Sequence, residues 1–292
     1  RKILQINWFL VLLLIMIDSV GFAMLYSAAN GNWQPWAMRQ MARFGVALGA
    51  LLVIALIDIR FWMRWAYVGY LGALALLFVV EVAGEIGMGA QRWVDLGFFQ
   101  LQPSELMKVA LVLALARYFH GLTHEETGRI TYLLPPLLMI AAPALLVLRQ
   151  PDLGTAMMLL FAGSGLLFLA GVRIWKFLLV GLAGLACIPI AWGLLREYQR
   201  NRILTFLNPE NDPLGTGYHI LQSKIALGSG GMFGKGFLQG SQSHLNFLPE
   251  KQTDFIFTML AEEFGLAGGI GLIGLYVLVL IYGTAIGLRA RS

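Results

Sequence analysis

Long apolar stretches alternate with short polar segments along the whole chain. A helix that crosses the hydrocarbon core of a bilayer needs about 20 predominantly apolar residues. Eight stretches approach or exceed this length, the fourth when it is extended upstream through Pro103. The last exceeds one span, so we expect it to begin in the headgroup layer or to tilt. The pattern predicts an all-α, polytopic integral membrane helical bundle with spans at 7–26, 38–57, 65–83, 106–119, 132–148, 153–171, 177–195 and 255–288.

Composition supports this class and excludes others. Apolar and aromatic residues make up 58% of the chain and charged residues 13%, against about 25% charged in a soluble domain. Together with a mean hydropathy of +0.73, this excludes an ordinary water-soluble enzyme. The net charge of +5 comes mainly from residues that flank apolar stretches, so we predict anionic lipid and no nucleic acid as its partner. One cysteine, Cys187, and four scattered histidines predict neither a disulfide within the chain nor a histidine metal site.

The basic residues predict that the N-terminus is cytoplasmic. In that orientation the short inner segments hold ten basic residues and the short outer segments hold four. We therefore treat 1–292 as a single transmembrane domain in which 196–254 is a large extracytoplasmic loop. A loop of this length is usually functional. Its apolar residues at 220–227 allow a short interfacial helix, and its eight glycines between 208 and 254 predict a mobile wall over the site.

Charged side chains inside spans are functional candidates, because hydrocarbon makes a buried charge costly. Lys108 follows Glu105 by three residues, which places both on one helix face. They form either a structural ion pair buried in the span or part of a polar cavity. Asp152 stands at a predicted helix start, where the helix dipole stabilises a carboxylate. Arg149 is either its partner or an anion ligand.

A second group of acidic residues surrounds the start of the last span. Asp254 follows Thr253, a predicted N-cap, at the boundary between polar loop and apolar helix. A carboxylate there suits a general base for a hydroxyl nucleophile, although a simple first-turn helix charge is the alternative. Glu262 and Glu263 lie two turns further on, and at least one must face protein or water. Asp18, midway through the first span, either packs helices or has a functional role.

The glycine-rich stretch 228–236 invites comparison with a phosphate-binding loop. It fails that test, because the pattern requires glycine where Ser229 stands and serine or threonine where Gly236 stands. We interpret it as a flexible loop, in which Lys224 and Lys235 are available to an anionic headgroup.

A series of short motifs runs along the chain. The motifs are, in order, GAQRW at 89–93, DLG at 95–97, QPSE at 102–105 with Lys108, RQPDLGT at 149–155, NP at 208–209, DP at 212–213, GY at 217–218, QS at 222–223, GSGG at 228–231, LPE at 248–250 and TDF at 253–255. In this order they resemble the SEDS family (shape, elongation, division and sporulation), in particular its RodA-like branch, and the similarity covers essentially the whole chain. GSQS at 240–243 and NFLPE at 246–250 favour the elongation branch over the FtsW-like division branch.

This resemblance implies a peptidoglycan glycosyltransferase that polymerises lipid II at the outer face of the bacterial cytoplasmic membrane and releases undecaprenyl pyrophosphate. It implies ten spans, two more than the eight visible. It makes Asp254 the catalytic carboxylate, and a divalent cation, Mg²⁺ or Mn²⁺, is expected at the pyrophosphate, with no ligand set evident in the sequence. The expected substrate-binding residues are Arg92, Gln102, Glu105, Lys108, Arg149, Asp152, Lys224 and Lys235.

The resemblance also implies a partner, a class B penicillin-binding transpeptidase, together with other membrane proteins of the elongation complex. Two alternatives from other classes remain. A lipid II flippase needs charged groups within the membrane that are reachable from both faces, whereas a polymerase needs Asp254 at the outer surface. A scaffold that only recruits the transpeptidase would tolerate the loss of Asp254.

Overall fold

Helices occupy every stretch that the sequence predicts to span the membrane. The computed structural model describes residues 6–83, 85–87, 90–95, 100–195, 197–211, 216–244 and 250–290. In chain order the helices are α1 Trp8–Ala28, α2 Trp36–Leu56, α3 Ile59–Ala83, α4 Pro103–His120, α5 His124–Thr127, α6 Ile130–Arg149, α7 Leu153–Leu169, α8 Ile174–Leu194, α9 Glu197–Leu207, a 3₁₀ turn Pro209–Asn211, α10 Thr216–Ser229, α11 Ser241–His244 and α12 Ile256–Arg289.

Five of the described helices, α1, α2, α3, α6 and α12, are long and apolar enough to cross a bilayer. Helices α7 and α8 are apolar but shorter, and α4 carries Glu105, Lys108 and Arg117 within 18 residues. The eight predicted spans therefore coincide with eight helices. This confirms a polytopic helical membrane protein.

Local sequence sets several helix ends. The side chain of Asn7 caps α1 by accepting a hydrogen bond from the backbone N–H of Leu10 at 3.3 Å. Helix α4 begins at Pro103, as expected, because proline at the first position loses no intrahelical hydrogen bond.

One short antiparallel sheet departs from the predicted all-helical pattern. Strands β1 (Glu85–Gly87), β2 (Ala90–Asp95) and β3 (Gln100–Leu101) pair in the order β1-β2-β3 between α3 and α4. The sheet carries the motif stretch that contains Arg92, so the segment between the third and fourth predicted spans has regular structure.

The large segment 196–254 is also more regular than a loop. Helices α9, α10 and α11 and the 3₁₀ turn fill most of its described part. The predicted short interfacial helix corresponds to α10.

The chain divides into two compact units. One comprises Ile57–Ile188 and the other comprises Arg1–Leu56 with Pro189–Ser292. The first unit packs α3, α4, α6 and α7 around a core that includes Leu77, Met107, Leu111, Leu115 and Leu159, all 0% exposed. The single-domain organisation stays a prediction.

In the second unit α1 packs against α2 and α12, and α10 packs against α12. Gly265 has φ 67° and ψ −164°, which interrupts α12. This combination of angles is essentially restricted to glycine. Residues 266–289 alone are long enough to span a bilayer, which explains why the apolar stretch in the sequence exceeds one span.

Candidate active site

Asp254 lies in the turn that leads into α12. Backbone hydrogen bonds from Thr253 N to Glu250 O (3.0 Å) and from Ile256 N to Thr253 O (3.4 Å) hold this turn. The predicted N-cap at Thr253 is wrong, because the cap position is Phe255 and the Thr253 hydroxyl donates to Glu250 O at 3.3 Å. The carboxylate of Asp254 is exposed. Among the described residues it has no hydrogen-bond or ion-pair partner, so it is accessible to a substrate.

Lys251 anchors the other side of this turn. It is 7% exposed, and burial lowers the pKa of its ammonium group. The turn is therefore fixed to the protein through Lys251 and open to its surroundings at Asp254.

A cavity of about 330 Å³ adjoins the residues on either side of Asp254. It lies within the unit that contains α1, α2 and α12. Helix α1 supplies an acidic residue, helix α2 supplies two arginines, and the turn before α12 supplies polar side chains. The lining residues are Asp18, Gly21, Leu25, Trp36, Arg39, Gln40, Arg43, Gln252, Thr253 and Ile256.

Arg39 and Arg43 are site candidates that sequence reasoning missed. Their spacing of four residues already places them on one helix face, but the sequence does not show which other segments that face meets. In the part of the chain that the structure describes, neither guanidinium makes an ion pair with a carboxylate. Asp18, the acidic residue of the same cavity, is half-buried.

Glu262 and Glu263 are the most deeply buried carboxylates among the described residues, at 0% and 1% exposure. Oε1 of Glu262 accepts hydrogen bonds from Lys235 Nζ at 2.8 Å and from the backbone N–H of Gln242 at 2.9 Å. Glu263 accepts a hydrogen bond from the Ser27 hydroxyl, and its Oε1 lies 3.3 Å from His244 Nε2. Both glutamates therefore face protein. The sequence analysis expected at least one of them to face protein or water.

The glycine-rich turn after α10 packs directly on the backbone of α12. The N–H groups of Lys235 and Gly236 donate to the carbonyls of Glu262 and Glu263, both at 3.0 Å. A Cβ at Gly230 would overlap the carbonyl of Ala261. These glycines permit close backbone contact, so the described structure contradicts the interpretation of 228–236 as a flexible loop.

The two lysines predicted to meet anionic groups differ in their surroundings. Lys235 pairs with buried Glu262 and donates to Ser241 Oγ at 2.7 Å, an arrangement that favours a structural role. Lys224 is exposed on α10. Substrate binding by either residue stays a prediction.

In the other unit, Glu105 and Lys108 form the predicted ion pair. Their Oε1 and Nζ atoms are 2.8 Å apart, and the side chains are 57% and 28% exposed, respectively. The expectation that the pair is buried is wrong for Glu105. Gln102 is the N-cap residue of the same helix and its side chain makes no capping hydrogen bond. Arg92 lies on β2, and its side chain lies outside the described part of the structure.

Arg149 and Asp152 are not partners. Arg149 Nη1 lies 3.4 Å from Glu81 Oε1, and the arginine is 74% exposed. Asp152 caps α7, as predicted for a carboxylate at a helix start. It accepts hydrogen bonds from the backbone N–H of Thr155 at 3.2 Å and from its hydroxyl at 2.8 Å.

The described residues do not gather three or more histidine, cysteine, aspartate or glutamate side chains around a possible metal position. A protein-built cage for a divalent cation is therefore not present among them.

Comparison with known proteins places these features in context. The chain matches the cell cycle protein family FtsW/RodA/SpoVE over residues 2–292. It is 42% identical to peptidoglycan glycosyltransferase MrdB of Escherichia coli K12 over 97% of this chain and 76% of that protein. It is 35% identical to stage V sporulation protein E of Bacillus subtilis over 96% of this chain and 79% of that protein.

Solved structures show the same relationship. A chain from a peptidoglycan synthase complex that coordinates polymerization and crosslinking aligns with a TM-score of 0.80 and 34% identity, covering 98% of this chain and 79% of that chain. The crystal structure of Thermus thermophilus rod shape determining protein RodA aligns with a TM-score of 0.69 and 31% identity, covering 98% and 76%.

Fold and site together define a multi-pass membrane protein with a carboxylate and an adjoining cationic cavity at the start of one span. Within that class, the chain belongs to the FtsW/RodA/SpoVE family of cell cycle proteins. The resemblance to the SEDS family, which the sequence motifs indicated, is confirmed.

Proposed function

We propose that this chain is a peptidoglycan glycosyltransferase that polymerises lipid II for cell elongation. The observation that carries the proposal is Asp254, exposed and without a partner among the described residues, beside a cavity with two arginines in a member of this family. The relative named peptidoglycan glycosyltransferase MrdB supports the same activity.

In the proposed reaction the 4-hydroxyl of one disaccharide attacks the anomeric carbon of a lipid-linked donor. Asp254 accepts the hydroxyl proton as the new carbon–oxygen bond forms. The bond between the anomeric carbon and the diphosphate breaks, and undecaprenyl pyrophosphate leaves with the electron pair. Cationic side chains stabilise the charge on this leaving group.

The remaining functional assignments belong to the proposal. The chain resides in the bacterial cytoplasmic membrane with its N-terminus inside, and a class B penicillin-binding transpeptidase crosslinks its product. The similarity to a chain from a polymerizing and crosslinking complex supports that partner. The proposed substrate-binding residues also include Arg92, Gln102, Glu105, Lys108, Arg149 and Asp152. A divalent cation would neutralise negative charge on the diphosphate of the substrate.

The test is polymerisation of lipid II by the purified protein in detergent, with Asp254→Asn as the critical variant. The amide is nearly isosteric but does not accept the proton, so polymer should disappear while the melting temperature stays unchanged. Polymer at the wild-type level in this variant would remove the general-base role. A wild-type protein that moves lipid II across vesicle membranes without making polymer would favour the flippase alternative.

A further inference from the structure

The cavity beside the Asp254 turn is positively charged. Its lining contains Arg39 and Arg43 against one carboxylate, Asp18. No ion pair within 4.0 Å joins either arginine to an acidic side chain of the described residues. Both arginines are exposed, so their guanidinium groups are available to an anion that enters the cavity.

The size of the cavity limits what that anion is attached to. About 330 Å³ is near the lower end of ligand cavities, which run from about 300 to 1,000 Å³. This volume accommodates a charged headgroup with adjoining atoms and does not accommodate two complete lipid-linked disaccharides. The cavity therefore holds one part of the substrate.

The spacing of the two arginines suits an anion with two phosphate groups. Residues four apart on a helix have Cβ atoms about 5–6 Å apart on the same face. Each guanidinium binds a phosphate through two parallel hydrogen bonds. Two such groups on one helix face allow one arginine for each phosphate of a diphosphate. The geometry points to Arg39 and Arg43 as the binding site for the diphosphate of the donor, the group that leaves in the reaction.

The position of the cavity next to Asp254 indicates that it binds the diphosphate of the donor and not that of the acceptor. This inference rests on the proposed function. Gln252 and Thr253, which line the cavity, immediately precede Asp254 in the chain. In the donor the diphosphate is attached to the reacting carbon, whereas in the acceptor two sugar rings separate the diphosphate from the attacking hydroxyl. A diphosphate cavity beside the catalytic carboxylate therefore belongs to the donor.

The experiment measures binding of undecaprenyl pyrophosphate, the released leaving group, to the full chain in detergent. Arg39→Gln, Arg43→Gln and the double variant are compared with wild type. Arg289→Gln, an exposed arginine at the far end of α12, is the matched control. Loss of one charged hydrogen-bonding partner should weaken binding about tenfold or more for each arginine, and the control should bind as wild type. Phosphatidylglycerol should compete poorly, which distinguishes a diphosphate site from a general headgroup site.

Wild-type affinity in both single glutamine variants overturns the inference, as does competition by phosphatidylglycerol at equal concentration. The single variants carry the test if the double variant fails to fold. Asp254→Asn separates this inference from the proposed function, because it should abolish polymerisation and retain undecaprenyl pyrophosphate binding. If the wild-type protein binds the diphosphate through the arginines but makes no polymer, the proposed polymerase function is refuted and the diphosphate-binding site is supported.

Discussion

Removal of the Lys235 ammonium should destabilise the protein by about 3 kcal/mol. Glu262 is fully buried, and its Oε1 accepts from Lys235 Nζ at 2.8 Å, Gln242 N at 2.9 Å and Ser241 Oγ at 3.3 Å. In Lys235→Met the buried carboxylate loses this ammonium group and keeps its hydrogen bonds from Gln242 N and Ser241 Oγ. Breaking a buried pair in this way costs about 3–5 kcal/mol. Because Lys235 is 29% exposed and water reaches it, we expect the lower end of this range.

The assay is thermal unfolding of the detergent-solubilised protein. At about 2–4 °C per kcal/mol for a chain approaching this size, Lys235→Met should lower the melting temperature by about 6–12 °C. Lys224→Met, on exposed α10, is the matched control and should melt as wild type. The double variant Lys235→Met/Glu262→Gln should recover most of the loss, since the buried carboxylate charge is gone. Equal melting of Lys235→Met and Lys224→Met would refute the buried-pair argument and return Lys235 to the substrate-binding candidates.

Three further results are expected. Lys108→Ala should lower the free energy of unfolding by less than about 1 kcal/mol, because its partner Glu105 is 57% exposed. A normal melting temperature with lost polymerisation would mark Lys108 as a substrate ligand. A decrease of more than about 3 kcal/mol would show a buried pair. Gly230→Ala should lower the melting temperature, since its Cβ would overlap the Ala261 carbonyl, whereas Gly228→Ala, with nothing within 4 Å, should not; equal melting of the two would argue against close packing on α12. In hydrogen exchange, the amides of Lys235, Gly236, Leu266 and Ala267, which bond across the turn and α12 at 2.9–3.0 Å, should be protected without substrate, and rapid exchange there would restore the mobile-wall prediction.

The sequence by itself determined the features that depend on local geometry. Apolar stretches of sufficient length located the helices, because a bilayer requires them. The Glu105–Lys108 pair followed from a spacing of three residues, which helix geometry converts into a contact. The position of Asp152 at a helix start followed from the local sequence, because the helix dipole favours a carboxylate there. The motif order identified the family and placed Asp254 before the last described span.

Only the tertiary structure decided the contacts between distant segments. Ser27 meets Glu263 across 236 positions, and Lys235 meets Glu262 across 27. The same holds for the cavity that joins Arg39 and Arg43 to the turn before α12. Membrane helices that are apolar on all sides lack the one-sided pattern that tells which face packs inward. Small residues and polar contacts determine their packing instead. The sequence does not show which helix a given small or polar residue will contact. The glycines after α10 therefore suggested mobility, although the fold uses them to bring two backbones together.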